Sequence, residues 1–98
     1  MVLPSSLPDN VLLLPSAVKD LERILQRHRE EFSRIWEDLK RLGLGTLPPQ
    51  GKKKLTSINA FQFDAGRYRV VYSRRDMTYT IWAVFAKPEQ RRYFKRFH

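Results

Sequence analysis

The hydrophobic period of this 98-residue chain changes once, near its midpoint, from helical to alternating. Before the change, Val18, Leu21, Ile24 and Leu25, and then Phe32, Ile35, Trp36, Leu39 and Leu42, recur at the spacing that places them on one face of a helix. After it, the segments Leu55 to Phe63, Arg67 to Ser73 and Met77 to Ala86 read as strands, parted by Asp64-Ala65-Gly66 and by Arg74-Arg75-Asp76. Both separators are short enough for hairpins. A chain that spends its helices first and its strands afterwards is an α+β domain, in which the helices cover one face of an antiparallel sheet.

Within that frame, Met1 to Asn10, with Pro4 and Pro8, reads as a flexible leader, and residues 11 to 98 as a single domain. Val11 to Leu14 is a short apolar run closed by Pro15, so it reads as a first strand. Ser16 offers a side-chain cap for a first helix that runs from Ala17. A second helix from Arg29 to Leu42 stops at Gly43 and Gly45, and the short joint Gln26-Arg27-His28 makes the pair either a hairpin or one kinked helix. The expected order is therefore β-α-α-β-β-β. Pro88 to His98 reads as a further amphipathic helix, with a strand as the alternative. The third strand should be two-sided: Tyr68, Val70 and Tyr72 point one way, and Arg67, Arg69, Val71 and Ser73 the other. The last strand is apolar on both sides, as expected of an internal position.

Charge separates the same two halves. Residues 1–49 hold seven basic and seven acidic side chains, whereas residues 50–98 hold twelve basic side chains and only Asp64, Asp76 and Glu89. The whole net charge of +9 thus belongs to the sheet half, and one cationic face points to a polyanion, with nucleic acid as the first choice. The basic positions on offer are Lys52, Lys53, Lys54, Arg67, Arg74, Arg75, Arg91 and Arg92, beside Arg69 and Lys87. The absence of cysteine removes disulfides and thiolate metal sites, and His28 and His98 have no partners at ligand spacing, so neither a metal nor a cofactor is expected. Gly43-Leu44-Gly45 lacks the remainder of a phosphate loop. No apolar run approaches membrane length and the N-terminus lacks the pattern of a secretory signal, which leaves a cytoplasmic protein as the expectation.

Arginine, lysine and tyrosine are the reactive groups that remain. They suffice for cleavage of RNA, because the substrate brings its own 2′-hydroxyl nucleophile and the protein needs a proton acceptor, cations for the charge that grows on phosphorus, and a donor for the leaving oxygen. Arg69 and Arg67 on the open sheet face would hold phosphate, and Lys87 would add cationic support or serve as a base. Tyr93 would stack on a base or donate a proton.

The run Gly66-Arg67-Tyr68-Arg69-Val70-Val71-Tyr72, followed after a turn by Tyr79-Thr80-Ile81-Trp82-Ala83-Val84-Phe85-Ala86-Lys87, resembles the RelE/ParE superfamily of bacterial toxins. With the preceding strand and two helices, the resemblance covers roughly residues 11–94. It implies a small curved antiparallel sheet with an N-terminal helical hairpin, and the toxin of a type II toxin–antitoxin system bound by an acidic antitoxin. RelE-like members cut mRNA at the ribosome, whereas ParE-like members inhibit DNA gyrase. On this resemblance Arg69 takes the place of the phosphate-contacting arginine, Lys87 that of a basic residue ending the last strand, and Tyr93 that of a C-terminal tyrosine used in catalysis. The chain departs from RelE-like members at Asn59, Ala60, Phe61 and Gln62, where those members carry lysines, and at Pro88, where a second basic residue is expected.

Overall fold

The computed structural model describes residues 3, 4, 6–46, 52–55 and 60–89. Strand β1 (Val11–Leu13) leads into helices α1 (Pro15–Arg27) and α2 (Arg29–Leu44), and strands β2 (Lys52–Leu55), β3 (Ala60–Ala65), β4 (Tyr68–Arg75) and β5 (Thr78–Ala86) follow, with a 3-10 turn at Lys87–Glu89. The sheet order is β1-β5-β4-β3-β2. Only β1 runs parallel to its neighbour, and β2 to β5 form an antiparallel meander. The α+β class and the β-α-α start expected from the sequence are thus both present. No helix among the described residues is long and apolar enough to cross a membrane.

Several boundaries differ from the sequence reading for identifiable reasons. Helix α1 starts at Pro15, whose missing N–H and fixed φ suit a first helical position, and Leu14 occupies the cap. Ser16 is therefore no cap: its hydroxyl donates to the Trp82 carbonyl at 2.6 Å. Helix α2 continues through Gly43 to Leu44 and ends on Gly45 in the left-handed conformation, so Gly45 alone acts as the stop. The two helices are separate, hinged at His28 with φ −140° and ψ 73°. The expected strand from Leu55 to Phe63 is divided between the ends of β2 and β3, and the lysine run Lys52 to Lys54 pairs with Phe63, Gln62 and Phe61. The hairpin between β3 and β4 closes on two residues, Gly66 and Arg67. Gly66 has φ +62°, which a residue without Cβ adopts at no steric cost.

The main core lies between the helices and the sheet. Leu21, Ile24, Phe32, Ile35, Trp36, Leu39 and Leu42 from the helices meet Phe63, Val70, Tyr72, Ile81 and Val84 from the strands. These are the stripes that the helical and alternating periods pick out. A second, smaller cluster of Ala60, Val71, Ala83 and Phe85 lies on the other side, with Trp82 packed against it. That sheet face is accordingly not free along its whole length, contrary to expectation. The register explains the grouping: Val71 opposes Ala83 but Tyr72 opposes Ile81, which leaves Trp82 as the extra residue of a bulge. Trp82 and Ala83 therefore join the same cluster, while Ile81 and Val84 belong to the helix side.

The leader has contacts that its composition did not suggest. Leu3 and Leu7 pack on the main core, Trp36 donates its indole N–H to the Ser6 hydroxyl at 2.9 Å, and the Asn10 amide donates to the carbonyls of Gly43 and Met77, each at 2.8 Å. Ion pairs run along α2 between Glu37 and Lys40 and between Asp38 and Arg41, in each case about one turn apart.

Candidate functional site

The site is built by the β3–β4 hairpin and the end of β5. A two-residue loop places residue 64 opposite residue 69, so Asp64 and Arg69 are cross-strand partners with side chains on the same face. Lys87 follows β5 directly, and its backbone N–H donates to the Arg67 carbonyl at 3.0 Å, which extends the ladder by one position. The three side chains converge. Asp64 Oδ1 accepts from Arg69 Nε at 2.9 Å, and Asp64 Oδ2 lies 3.4 Å from Lys87 Nζ. Arg69 has 27% of its side chain exposed, Lys87 41% and Asp64 42%, so the cluster meets solvent on one side.

Of the residues singled out from the sequence, Arg69 and Lys87 are thus brought together. Arg67 is not with them: it sits in the turn, with Nε 3.8 Å from Glu31 of α2, toward the helix side of the sheet. The strict alternation assumed for Arg67 fails because a hairpin loop residue need not obey the strand period. Arg74 and Arg75 lie at the far end of β4, where Arg74 donates to the Asp76 carbonyl at 2.8 Å and stacks over Tyr79 at 5.8 Å. Lys52, Lys53 and Lys54 form most of β2, and Lys53 is the backbone partner of Gln62. Tyr93, Arg91 and Arg92, together with the C-terminal helix expected from Pro88 onward, lie outside the described residues except for the 3-10 turn Lys87–Glu89.

Two features of the site escaped the sequence reading. Asp64 reads as a turn residue in the sequence, whereas the hairpin closes on Gly66-Arg67 and pairs it with Arg69. Gln62, two residues earlier on the same strand face, is buried and its Oε1 has no hydrogen-bond partner among the described residues, which is a costly arrangement for an amide oxygen. The tyrosines of β4 face the helix side: burial pushes the Tyr72 phenol up to about 12, reinforced by Tyr79 and opposed by Arg74. Tyr68 is raised as well, by burial first and then by the neighbouring Glu31 carboxylate. Neither phenol is set up to give or take protons near neutrality.

No family model matches the chain, and no curated protein does. Solved structures do. A YoeB-YefM complex from Staphylococcus aureus contains a chain 22% identical, superposing with a TM-score of 0.66 over 82% of this chain and 95% of that one. The toxin-antitoxin complex RelBE2 from Mycobacterium tuberculosis gives 22% identity and a TM-score of 0.64 over 85% and 95%. The RelB-RelE antitoxin-toxin complex from Methanococcus jannaschii gives 21% and 0.62 over 85% and 98%. Nearly the whole of each of those chains is matched. The chain thus has the fold of a chain found in these YoeB-YefM, RelBE2 and RelB-RelE complexes.

Proposed function

We propose that this protein is the toxin of a type II toxin–antitoxin pair and acts as a metal-independent endoribonuclease on ribosome-associated mRNA. The observation that carries this reading is the convergence of Arg69 and Lys87 within hydrogen-bonding reach of one carboxylate on an exposed sheet face. Two cations aimed at one point form a seat for a phosphodiester. In the reaction the RNA 2′-hydroxyl gives up its proton to solvent as its oxygen bonds to phosphorus, the P–O5′ bond breaks to leave a 2′,3′-cyclic phosphate, and the departing 5′-oxygen takes up a proton. Arg69 neutralises the charge growing on the phosphoryl oxygens, Lys87 supports it, and Tyr93 serves the departing oxygen or stacks on a base. Matching folds come from complexes described as toxin–antitoxin, which supports an acidic antitoxin as the partner that silences this cationic surface.

The test is expression of the wild type and Arg69→Ala with mapping of mRNA 5′ ends. New ends with the wild type and none with the variant are expected; no new ends with the wild type sinks the proposal. One observation favours a toxin that does not cut: β3 reads Ala60-Phe61-Gln62-Phe63-Asp64-Ala65, with no lysine on the strand beside Arg69. A ParE-like toxin of that kind would inhibit supercoiling by purified gyrase, and an unaffected gyrase removes this second reading.

A further inference from the structure

The geometry points to Asp64 as a built-in competitor for the anion that Arg69 and Lys87 are placed to bind, so that RNA enters by exchanging a phosphate for this carboxylate. The inference rests on the reading of the surface as RNA-binding, and it concerns a residue to which that reading gives no role.

The carboxylate has the features of a phosphodiester stand-in. It carries one negative charge on two equivalent oxygens, as a phosphodiester does on its two non-bridging oxygens. Each oxygen takes one cation: Oδ1 the Arg69 Nε at 2.9 Å, and Oδ2 the Lys87 Nζ at 3.4 Å. The position is fixed by backbone pairing, because Asp64 and Arg69 face each other across β3 and β4. Among residues 50–98, twelve basic side chains are matched by only three acidic ones, and one of those three occupies this seat.

The seat is also open to exchange. All three side chains keep between 27% and 42% of their surface exposed, and half-exposed ion pairs are held weakly enough for an external anion to replace them. A phosphate that displaces Asp64 keeps both cations satisfied, while the released carboxylate regains water. An isolated phosphate gains little from the exchange. A nucleic-acid strand that makes further contacts along the cationic half of the chain gains more, so Asp64 discriminates against small anions and short fragments.

The experiment measures binding of a single-stranded RNA oligonucleotide, 2′-O-methylated so that it cannot be cut, to the wild type, Asp64→Asn and Asp64→Glu across a range of salt concentrations. Asn keeps the shape and removes the charge. Exchange predicts that Asp64→Asn binds about three- to tenfold more tightly. It also predicts a salt dependence steeper by roughly 0.7 in log K against log salt for each further phosphate neutralised. Asp64→Glu should stay near the wild type. Equal or weaker binding by Asp64→Asn overturns the inference, because a purely structural Asp64 would loosen the cations on removal. Thermal unfolding identifies a variant that fails to fold, and Asp64→Ser then replaces Asp64→Asn with the same two outcomes. Cleavage of unmodified transcripts is scored separately. No cleavage by the wild type together with tighter binding by Asp64→Asn overturns the nuclease reading alone, and cleavage by the wild type without that tightening overturns the exchange alone.

Discussion

Asp64 and Arg69 oppose each other on neighbouring strands, with the Asp64 carboxylate 2.9 Å from the Arg69 Nε, and the contact uses the side nitrogen of the guanidinium. A lysine at position 69 has charge without a nitrogen at that place. On the nuclease reading, Arg69→Lys should lower cleavage by about tenfold or more while lowering the melting temperature by no more than about 4–8 °C, since a partly exposed ion pair contributes at most about 1 kcal/mol. Primer extension on a defined transcript, beside a thermal melt, measures both. A variant as active as the wild type would show that charge alone is sufficient.

Gln62 gives a prediction of the opposite sign. Its Oε1 is buried without a partner among the described residues, so an apolar side chain of similar length should be better there. Gln62→Met is expected to stabilise the fold by about 1 kcal/mol, a rise in melting temperature of about 4–8 °C for a domain of this size. If the melting temperature falls instead, the amide is satisfied in solution.

Gly43 lies inside α2, where alanine would ordinarily be the better helix former by about 1 kcal/mol. A Cβ at this position would stand 2.7 Å from Val11 Cγ2, 2.9 Å from Asn10 Oδ1 and 3.0 Å from Pro8 Cγ. Val11 is buried and proline is rigid, so the overlap outweighs the propensity. Gly43→Ala should therefore destabilise by about 1–3 kcal/mol in denaturant unfolding. Stabilisation by this substitution would mean that the leader does not pack on α2 as described.

These cases show what could be read from the sequence and what could not. The stripes of α1 and α2 and the helix-facing side of β4 were legible because burial on one face imposes a period on the chain. Gly43 reads as a helix stop because a close approach of leader and helix selects the same residue as a helix end. Strand β2 was invisible as a strand because Lys52, Lys53 and Lys54 carry no apolar alternation, a composition that suits an edge. The bulge at Trp82 depends on register, which no local pattern announces. At the candidate site Arg69 and Lys87 were legible from residue type and strand position. Asp64 was not, because its role follows from the one pairing that the hairpin loop selects.

Alkaline titration offers a further check. The Tyr72 phenol is held near 12 by burial, above its value of about 10 in an unfolded chain. The unfolded state then loses its proton first, so Tyr72 contributes stability in full below about pH 10 and loses it progressively as pH rises toward 12. Stability should fall across that window by at most about 1.4 kcal/mol per pH unit on account of this group. In Tyr72→Phe the slope should be shallower. Equal slopes would show that Tyr72 ionises in the folded protein as it does in water.

Asp20 and Ser16 make a comparable pair of polar contacts elsewhere. Asp20 Oδ2 accepts the Val84 N–H at 3.0 Å, one helical turn from the Ser16 contact to the Trp82 carbonyl. Asp20→Ala should cost about 1–3 kcal/mol by leaving that N–H without its acceptor, and Asp20→Asn distinctly less, because its amide oxygen can still accept. Denaturant melts of the two variants measure the difference, and equal losses would assign the effect to charge.

The same two contacts decide where this sheet can grow. Beyond its short pairing with β1, β5 would present bare backbone to any extended chain in the cell, which is the usual seed of edge-to-edge aggregation. Helix α1 takes up a carbonyl and an N–H of that stretch with its own side chains, so an intruding strand must first strip off a helix anchored in the main core. For a protein whose proposed task is to be gripped by another chain, this edge is guarded against the wrong embrace.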